Sequence, residues 1–134
     1  MYSRKNNTQR ARDVMRKKVV YIDGMATAKE AVELMRAEKV DTLIVKKRHE
    51  DDAFGIVELQ DLINGVIIPD RDSSEVNVYE IMKKPAISVP ASMDIRYVAN
   101  FLIRTQIRRA PVEENGEYVG MISISSLILH NMEF

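Results

Sequence analysis

Arg108 and Arg109, the serines at 123, 125 and 126, Asp61, and the run His49 to Asp52 are the residues whose type and spacing could do chemistry. The arginine pair stands just before a predicted strand, where two exposed guanidiniums have no packing purpose, and it suits a phosphate or an acidic partner. Ser123, Ser125 and Ser126 fall where a strand gives way to a helix, so they read either as helix caps or as hydroxyl ligands. Asp61 occupies the first turn of a predicted helix, where the helix dipole alone favours a carboxylate. His49, Glu50, Asp51 and Asp52 read as a solvated loop rather than a metal site, because acidic residues are commonplace in turns. The set offers charge and hydrogen bonding rather than covalent catalysis.

The rest of the chain narrows the classes further. Its 134 residues include no cysteine, which excludes disulfides, thiolate chemistry and cysteine-type metal sites. The two histidines, His49 and His130, are too far apart in sequence to suggest a local ligand pair. Gly55 and Gly120 each stand alone, with no glycine-rich phosphate loop, and no nucleophile has an activating neighbour. The expectation is a protein that is not an enzyme and needs no metal. Twenty basic residues balance twenty acidic ones, so no global field pulls the chain toward nucleic acid or membrane.

Residues 1–18 are locally basic, with Arg4, Lys5, Arg10, Arg12, Arg16, Lys17 and Lys18 against Asp13. A basic N-terminal arm at 1–10 could touch nucleic acid or an acidic partner. A solvated terminus is the simpler reading, and nucleic acid is not an expected partner. No apolar stretch approaches the roughly 20 residues of a membrane span, and no apolar signal region follows the N-terminus. A cytoplasmic location is expected.

An internal repeat supplies the elements that must position these residues. Asp13-Val14-Met15 lies over Glu80-Ile81-Met82, 67 residues on. At that spacing Ala28, Ala31, Val32 and Met35 fall on Ile95, Val98, Ala99 and Leu102, two apolar stripes of helical period. Leu43-Ile44-Val45 falls on Ala110-Pro111-Val112; after a loop two residues shorter, Gly55-Ile56-Val57 falls on Gly120-Met121-Ile122. Each copy therefore reads as strand, helix, strand, strand, helix.

In the first copy these are about 19–22, 28–38, 42–47, 54–58 and 59–67. Thr27 with Glu30 forms a capping box, and Asp94 takes the N-cap position in the second copy, whose helix runs to about Thr105. Asn115-Gly116 signals a tight hairpin between strands 110–113 and 118–123. The repeats span 11–68 and 78–132, joined by a polar linker at 69–77. The predicted fold is α/β, two pseudo-twofold-related β-α-β-β-α units packed through their small sheets.

Three patterns shared by both copies resemble the cystathionine β-synthase (CBS) domain, found as tandem pairs called Bateman modules. They are the leading Asp13-Val14-Met15 and Glu80-Ile81-Met82; the strand Ile87-Ser88-Val89-Pro90, with its weaker counterpart Val20-Tyr21-Ile22-Asp23; and the segments 55–61 and 120–126. The resemblance covers about 11–132 and implies a stand-alone regulatory module. Such pairs bind adenosine-containing ligands (AMP, ADP, ATP or S-adenosylmethionine) in clefts between the copies, through a hydroxyl residue, a helix N-terminus and an Asp that accepts from the ribose diol.

By that resemblance, one site takes Asp61 for ribose, with Glu58 standing where the family has a hydroxyl residue. Its base-contacting wall would be Ser88, Val89, Pro90 and Ile107, with Arg108 near the phosphate. The other site takes Ser123, Ser125 and Arg109 for phosphate, with Tyr21, Ile22 and Val40 toward the base, and has Ser126 where the family has Asp. Asp41, aligned with Arg108, would oppose an anion there. The resemblance also implies a disc-like homodimer and a separate effector protein. The alternative reading is a protein-interaction or dimerisation module whose nucleotide sites are degenerate.

Overall fold

Helical stripes and short apolar strands in the sequence become two mixed α/β units, each with one three-stranded sheet. The structure, a computed structural model, describes residues 8–131. Its first copy contains β1 (Tyr21–Ile22), α2 (Ala28–Glu38), β2 (Thr42–Val45), β3 (Gly55–Glu58) and α3 (Leu59–Leu62). The second contains β4 (Val89–Pro90), α5 (Ile95–Thr105), β5 (Arg109–Glu114), β6 (Glu117–Ser123) and α6 (Ile124–Asn131). Preceding the copies are two one-turn helices, α1 (Ala11–Val14) and α4 (Val78–Ile81). In both sheets the first two strands are parallel, bridged by the long helix, and the last two are antiparallel.

The long helices start and stop where the residues dictate. Glu30 N donates to Thr27 Oγ1 (3.1 Å) while Thr27 N donates to Glu30 Oε1 (2.9 Å), closing the capping box. Arg96 N donates to Asp94 Oδ1 at 2.8 Å at the head of α5. Both helices end in a left-handed residue, Lys39 or Gln106. Their stripes are buried, with Ala28, Ala31 and Met35 under α2 and Ile95, Val98 and Leu102 under α5. Each buried Val, Leu, Ile or Met side chain contributes about 1.5–3 kcal/mol of transfer free energy.

Asn115 (φ 54°) and Gly116 (φ 81°) make the hairpin between β5 and β6 with two positive-φ residues, as a type I′ turn requires. Three elements of the first copy differ from expectation by two residues or more, the first being β1, which begins at Tyr21 rather than near 19. β2 stops at Val45, so Lys46 and Lys47 lie beyond the sheet. The final helix of the first copy is not one α-helix to residue 67; α3 gives way to a π-turn at Ile63–Ile67. Gly65 sits in that turn against Ile81, where any side chain would collide with the Ile81 methyl.

The short leaders do not stay with the repeats they precede. Ala11 and Val14 are fully buried in the core of the second sheet, with Val89, Val98, Leu102, Val112 and Ile122. Val76 and Val78 are buried in the core of the first, with Leu43, Val45 and Val57. One compact unit is accordingly Val20–Ala86; the other joins the described chain up to Val19 with Ile87 onward. Compact units and sequence repeats therefore have different boundaries.

Two of the repeated sequence patterns lock this exchange. Arg16 and Met121 trade backbone hydrogen bonds (2.8 and 2.9 Å), and Ile56 and Lys83 do the same. At each junction a methionine of one pattern lies on the glycine of another. A Cβ on Gly120 would stand 2.6 Å from Met15 Sδ and 2.8 Å from the Arg16 carbonyl oxygen; on Gly55 it would stand 2.7 Å from Met82 Sδ. The leading acids cap their own turns: Arg10 N donates to Asp13 Oδ2 (2.8 Å) and Asn77 N to Glu80 Oε2 (2.9 Å).

Of the basic arm, Arg4 and Lys5 lie outside the described residues. Arg10 donates to the Ser92 carbonyl oxygen (2.7 Å) and Arg12 pairs with Glu114 (3.4 Å), both within their own unit. Among the described residues no helix is long and apolar enough to cross a membrane.

Candidate functional site

Asp61, the arginine pair and the three serines lie at corresponding ends of the two sheets, where the middle strand begins and the third strand ends, while His49 to Asp52 lie in the loop at the other end of the first sheet. In the first unit Thr42 opens β2 opposite Glu58, which closes β3 and leads into α3. Asp61 follows on the first turn, and its side chain is 6% exposed. Glu58 N donates to Asp61 Oδ2 (2.8 Å), and Lys83 Nζ donates to Oδ1 at 2.7 Å. Lys83 is held there by its backbone pairing with Ile56, so the exchanged leader delivers the cation. Both carboxylate oxygens thus have a donor already, and a ribose diol would have to share them. Thr42 Oγ1 donates to Asp41 Oδ1 nearby (3.1 Å), which adds a carboxylate to the same end.

In the second unit Arg109 opens β5 opposite Ser123, which closes β6. The serines form a small network at the head of α6. Ser126 N donates to Ser123 Oγ (3.1 Å), and Ser123 N donates to Ser126 Oγ (2.9 Å). The Ser126 hydroxyl donates in turn to the Ser123 carbonyl oxygen (2.8 Å), and the Ser123 and Ser125 hydroxyls are 3.0 Å apart. Ser126 therefore does for α6 what Asp61 does for α3, accepting from the backbone N–H three residues earlier. Ile124 N donates to the Arg108 carbonyl oxygen (3.1 Å), which places Arg108 beside the helix start. Its exposed guanidinium makes no ion pair with a described residue. This end brings together two consecutive arginines, the Ser123 and Ser125 hydroxyls and a helix N-terminus, residue types suited to an oxyanion.

The base-contacting residues are placed less uniformly. Val89 and Ile22, expected beside a base, turn into the cores at 1% and 6% exposure, which leaves only their backbones to line a site. Ile107 and Val40 are half-buried against the same two cores. Pro90 lies opposite Glu113, four residues beyond Arg109 and so about 13 Å along the strand. Ser88 precedes it, half-buried. The Tyr21 ring lies 5.9 Å from that of Phe54, tilted by 51°. Sequence reasoning missed Lys83, whose signal was only its alignment beside Arg16 in the leaders.

The CBS domain pattern matches this chain twice, at residues 11–67 and 78–133. The chain belongs to the CBS-domain family. A hexameric CBS-CP12 protein from bloom-forming cyanobacteria is 40% identical, with a TM-score of 0.86 over 90% of this chain and 67% of that one. A CBS-domain containing protein from Agrobacterium tumefaciens shares the fold at 23% identity and a TM-score of 0.81, covering 92% of this chain and all of the other. The chain spans 59% of the length of a Methanopyrus kandleri protein to which it is 26% identical over 117 residues, 87% of this chain. These relatives make a tandem CBS pair the frame in which both polar ends must be understood.

Proposed function

We propose that this CBS pair is a regulatory module that senses an adenosine-containing ligand, AMP, ADP or ATP in preference to S-adenosylmethionine. The observation that supports this most is Arg108 at the head of α6: its carbonyl oxygen accepts from the first N–H of that helix, where the Ser123 and Ser125 hydroxyls also lie, and its exposed guanidinium has no ion partner among the described residues. A phosphate there gains charge-assisted hydrogen bonds and the favourable end of the helix dipole. A sulfonium such as S-adenosylmethionine brings a positive charge to the same donors and gains less. Self-association belongs to the same proposal, since the cyanobacterial relative is hexameric. Tyr97 and Ile103 of α5 supply apolar surface for it, at 60% and 65% exposure.

The test is a thermal-shift series with adenosine, AMP, ADP, ATP and S-adenosylmethionine, with light scattering on the same samples. A ligand at a hundredfold excess over its Kd adds about 2.7 kcal/mol of stability, a shift of several degrees in a chain of this size. The nucleotides should shift the transition more than adenosine does, and Arg108→Ala should erase that difference. An unmoved transition at millimolar nucleotide would remove the sensor reading. A monomer at every concentration would remove the self-association.

A further inference from the structure

The first unit holds a second feature that sensing at the Asp61 and Ser123 ends does not use. A cavity of about 740 Å3 lies just outside the carboxyl ends of β1 and β2, the opposite end of this sheet from Asp61. It is lined by Asp23, Gly24 and Met25 after β1, by Val45 to Arg48 at and after the end of β2, and by Tyr79, Met82 and Lys84 from the exchanged leader. Crevices outside the carboxyl ends of parallel strands are where open α/β sheets take ligands; here the loop after β1 runs on to α2, while the loop after β2 turns back into β3. The volume falls within the range of small-molecule sites, about 300–1,000 Å3.

The lining has a definite chemistry. In a chain with no net charge, Lys46, Lys47, Arg48 and Lys84 surround this one cavity against the single carboxylate of Asp23. Arg48 and Lys84 are partly neutralised by Asp52, at 3.0 and 2.8 Å. Lys46 has no ion pair among the described residues, and the Lys47 ammonium rests 4.9 Å above the Phe54 ring. Val45, Met25, Met82 and the Tyr79 ring give the cavity an apolar side.

The walls are also fixed in advance. Met25 N donates to Asp23 Oδ1 (2.8 Å), Tyr79 N to the Gly24 carbonyl oxygen (2.9 Å) and Asn77 Nδ2 to that of Met25 (2.8 Å), tying the loop after β1 to the leader. A rigid site binds without the cost of ordering its own loops.

We propose that this cavity is a binding site for a small organic phosphate, its phosphate held by Lys46 and Lys47 and its apolar body against Met25, Met82 and Tyr79. An inorganic anion would leave the apolar side wet. A neutral apolar molecule would leave two ammonium groups unused. Lysine binds phosphate as a point charge, which suits a pair of exposed ammoniums at the rim of an apolar hollow.

The test uses the full chain labelled at its methionine methyls, titrated with phenyl phosphate and followed by NMR. The Met25 and Met82 signals should move saturably, while those of Met15 and Met93 in the other unit stay still. Benzyl alcohol should bind at least about tenfold more weakly, the factor expected when a charge-assisted contact is lost. Combining Lys46→Ala with Lys47→Ala should weaken phenyl phosphate by a similar factor; both side chains are exposed, and an unchanged circular dichroism spectrum will show that the fold is kept. Arg108→Ala, in the other unit, should leave the titration unchanged, which separates this site from nucleotide sensing. Still signals at millimolar phenyl phosphate, equal binding of benzyl alcohol, or insensitivity to the double lysine substitution would each overturn the proposal.

Discussion

At the scale of single residues, carboxylates that look alike in the sequence have different work. Asp52, in the acidic run that reads as a solvated loop, accepts from Arg48 N (2.9 Å), Arg48 Nε (3.0 Å) and Lys84 Nζ (2.8 Å). The Arg48 side chain, then Lys84, then the Arg48 backbone hold its carboxyl well below the usual range. A carboxyl lowered in the folded state contributes stability that is complete above its unfolded value, near 3.9, and is lost as pH falls toward its native value. Asp52→Asn should therefore destabilise the chain at pH 7, and the gap from the parent should close as pH drops below about 4. Urea midpoints across that range will measure it. Asp61 stood out in the sequence because its position matches a family pattern. Its commitment to Lys83 did not, because that pair depends on a strand pairing between residues 56 and 83 that no local signal announces.

Elements tell a similar story about which signals are local. Helix starts at Thr27 and Asp94, the Asn-Gly hairpin and both apolar stripes could be read directly, since caps, turns and helical periodicity depend on neighbours within a few residues. The π-turn at Ile63–Ile67 could not be read, because it exists where Gly65 meets Ile81, a contact set by packing. The matched methionine and glycine patterns were visible as repeats, but not as partners. Their contact makes an unequal prediction for two equivalent positions. Gly120→Ala forces its methyl onto the Arg16 backbone carbonyl as well as Met15, whereas Gly55→Ala meets chiefly the flexible end of Met82, with Lys83 O no closer than 3.3 Å. Gly120→Ala should cost about 1–3 kcal/mol, the usual range for overpacking, and Gly55→Ala less. Denaturant midpoints of the two variants will rank them, and equal losses would contradict this geometry.

For the whole molecule, the exchange of leaders means that neither sequence repeat carries all of its own core. Shortening the chain to begin at Lys17 removes Ala11, Val14 and Met15 and frees the edge of β6. The Met121 amide, which donates to the Arg16 carbonyl oxygen, should then lose hydrogen-exchange protection, while the Ile56 amide, paired with Lys83, keeps its own. Equal deprotection of both would show that the two units open as one. The same exchange orders events during synthesis. The unit spanning Val20 to Ala86 is complete once residue 86 has left the ribosome. The leader made before it must wait, its methionine undocked, until Gly120 is translated. A segment made before the Val20–Ala86 unit is thus buried after it, and the second unit closes around a piece of chain older than the whole of the first.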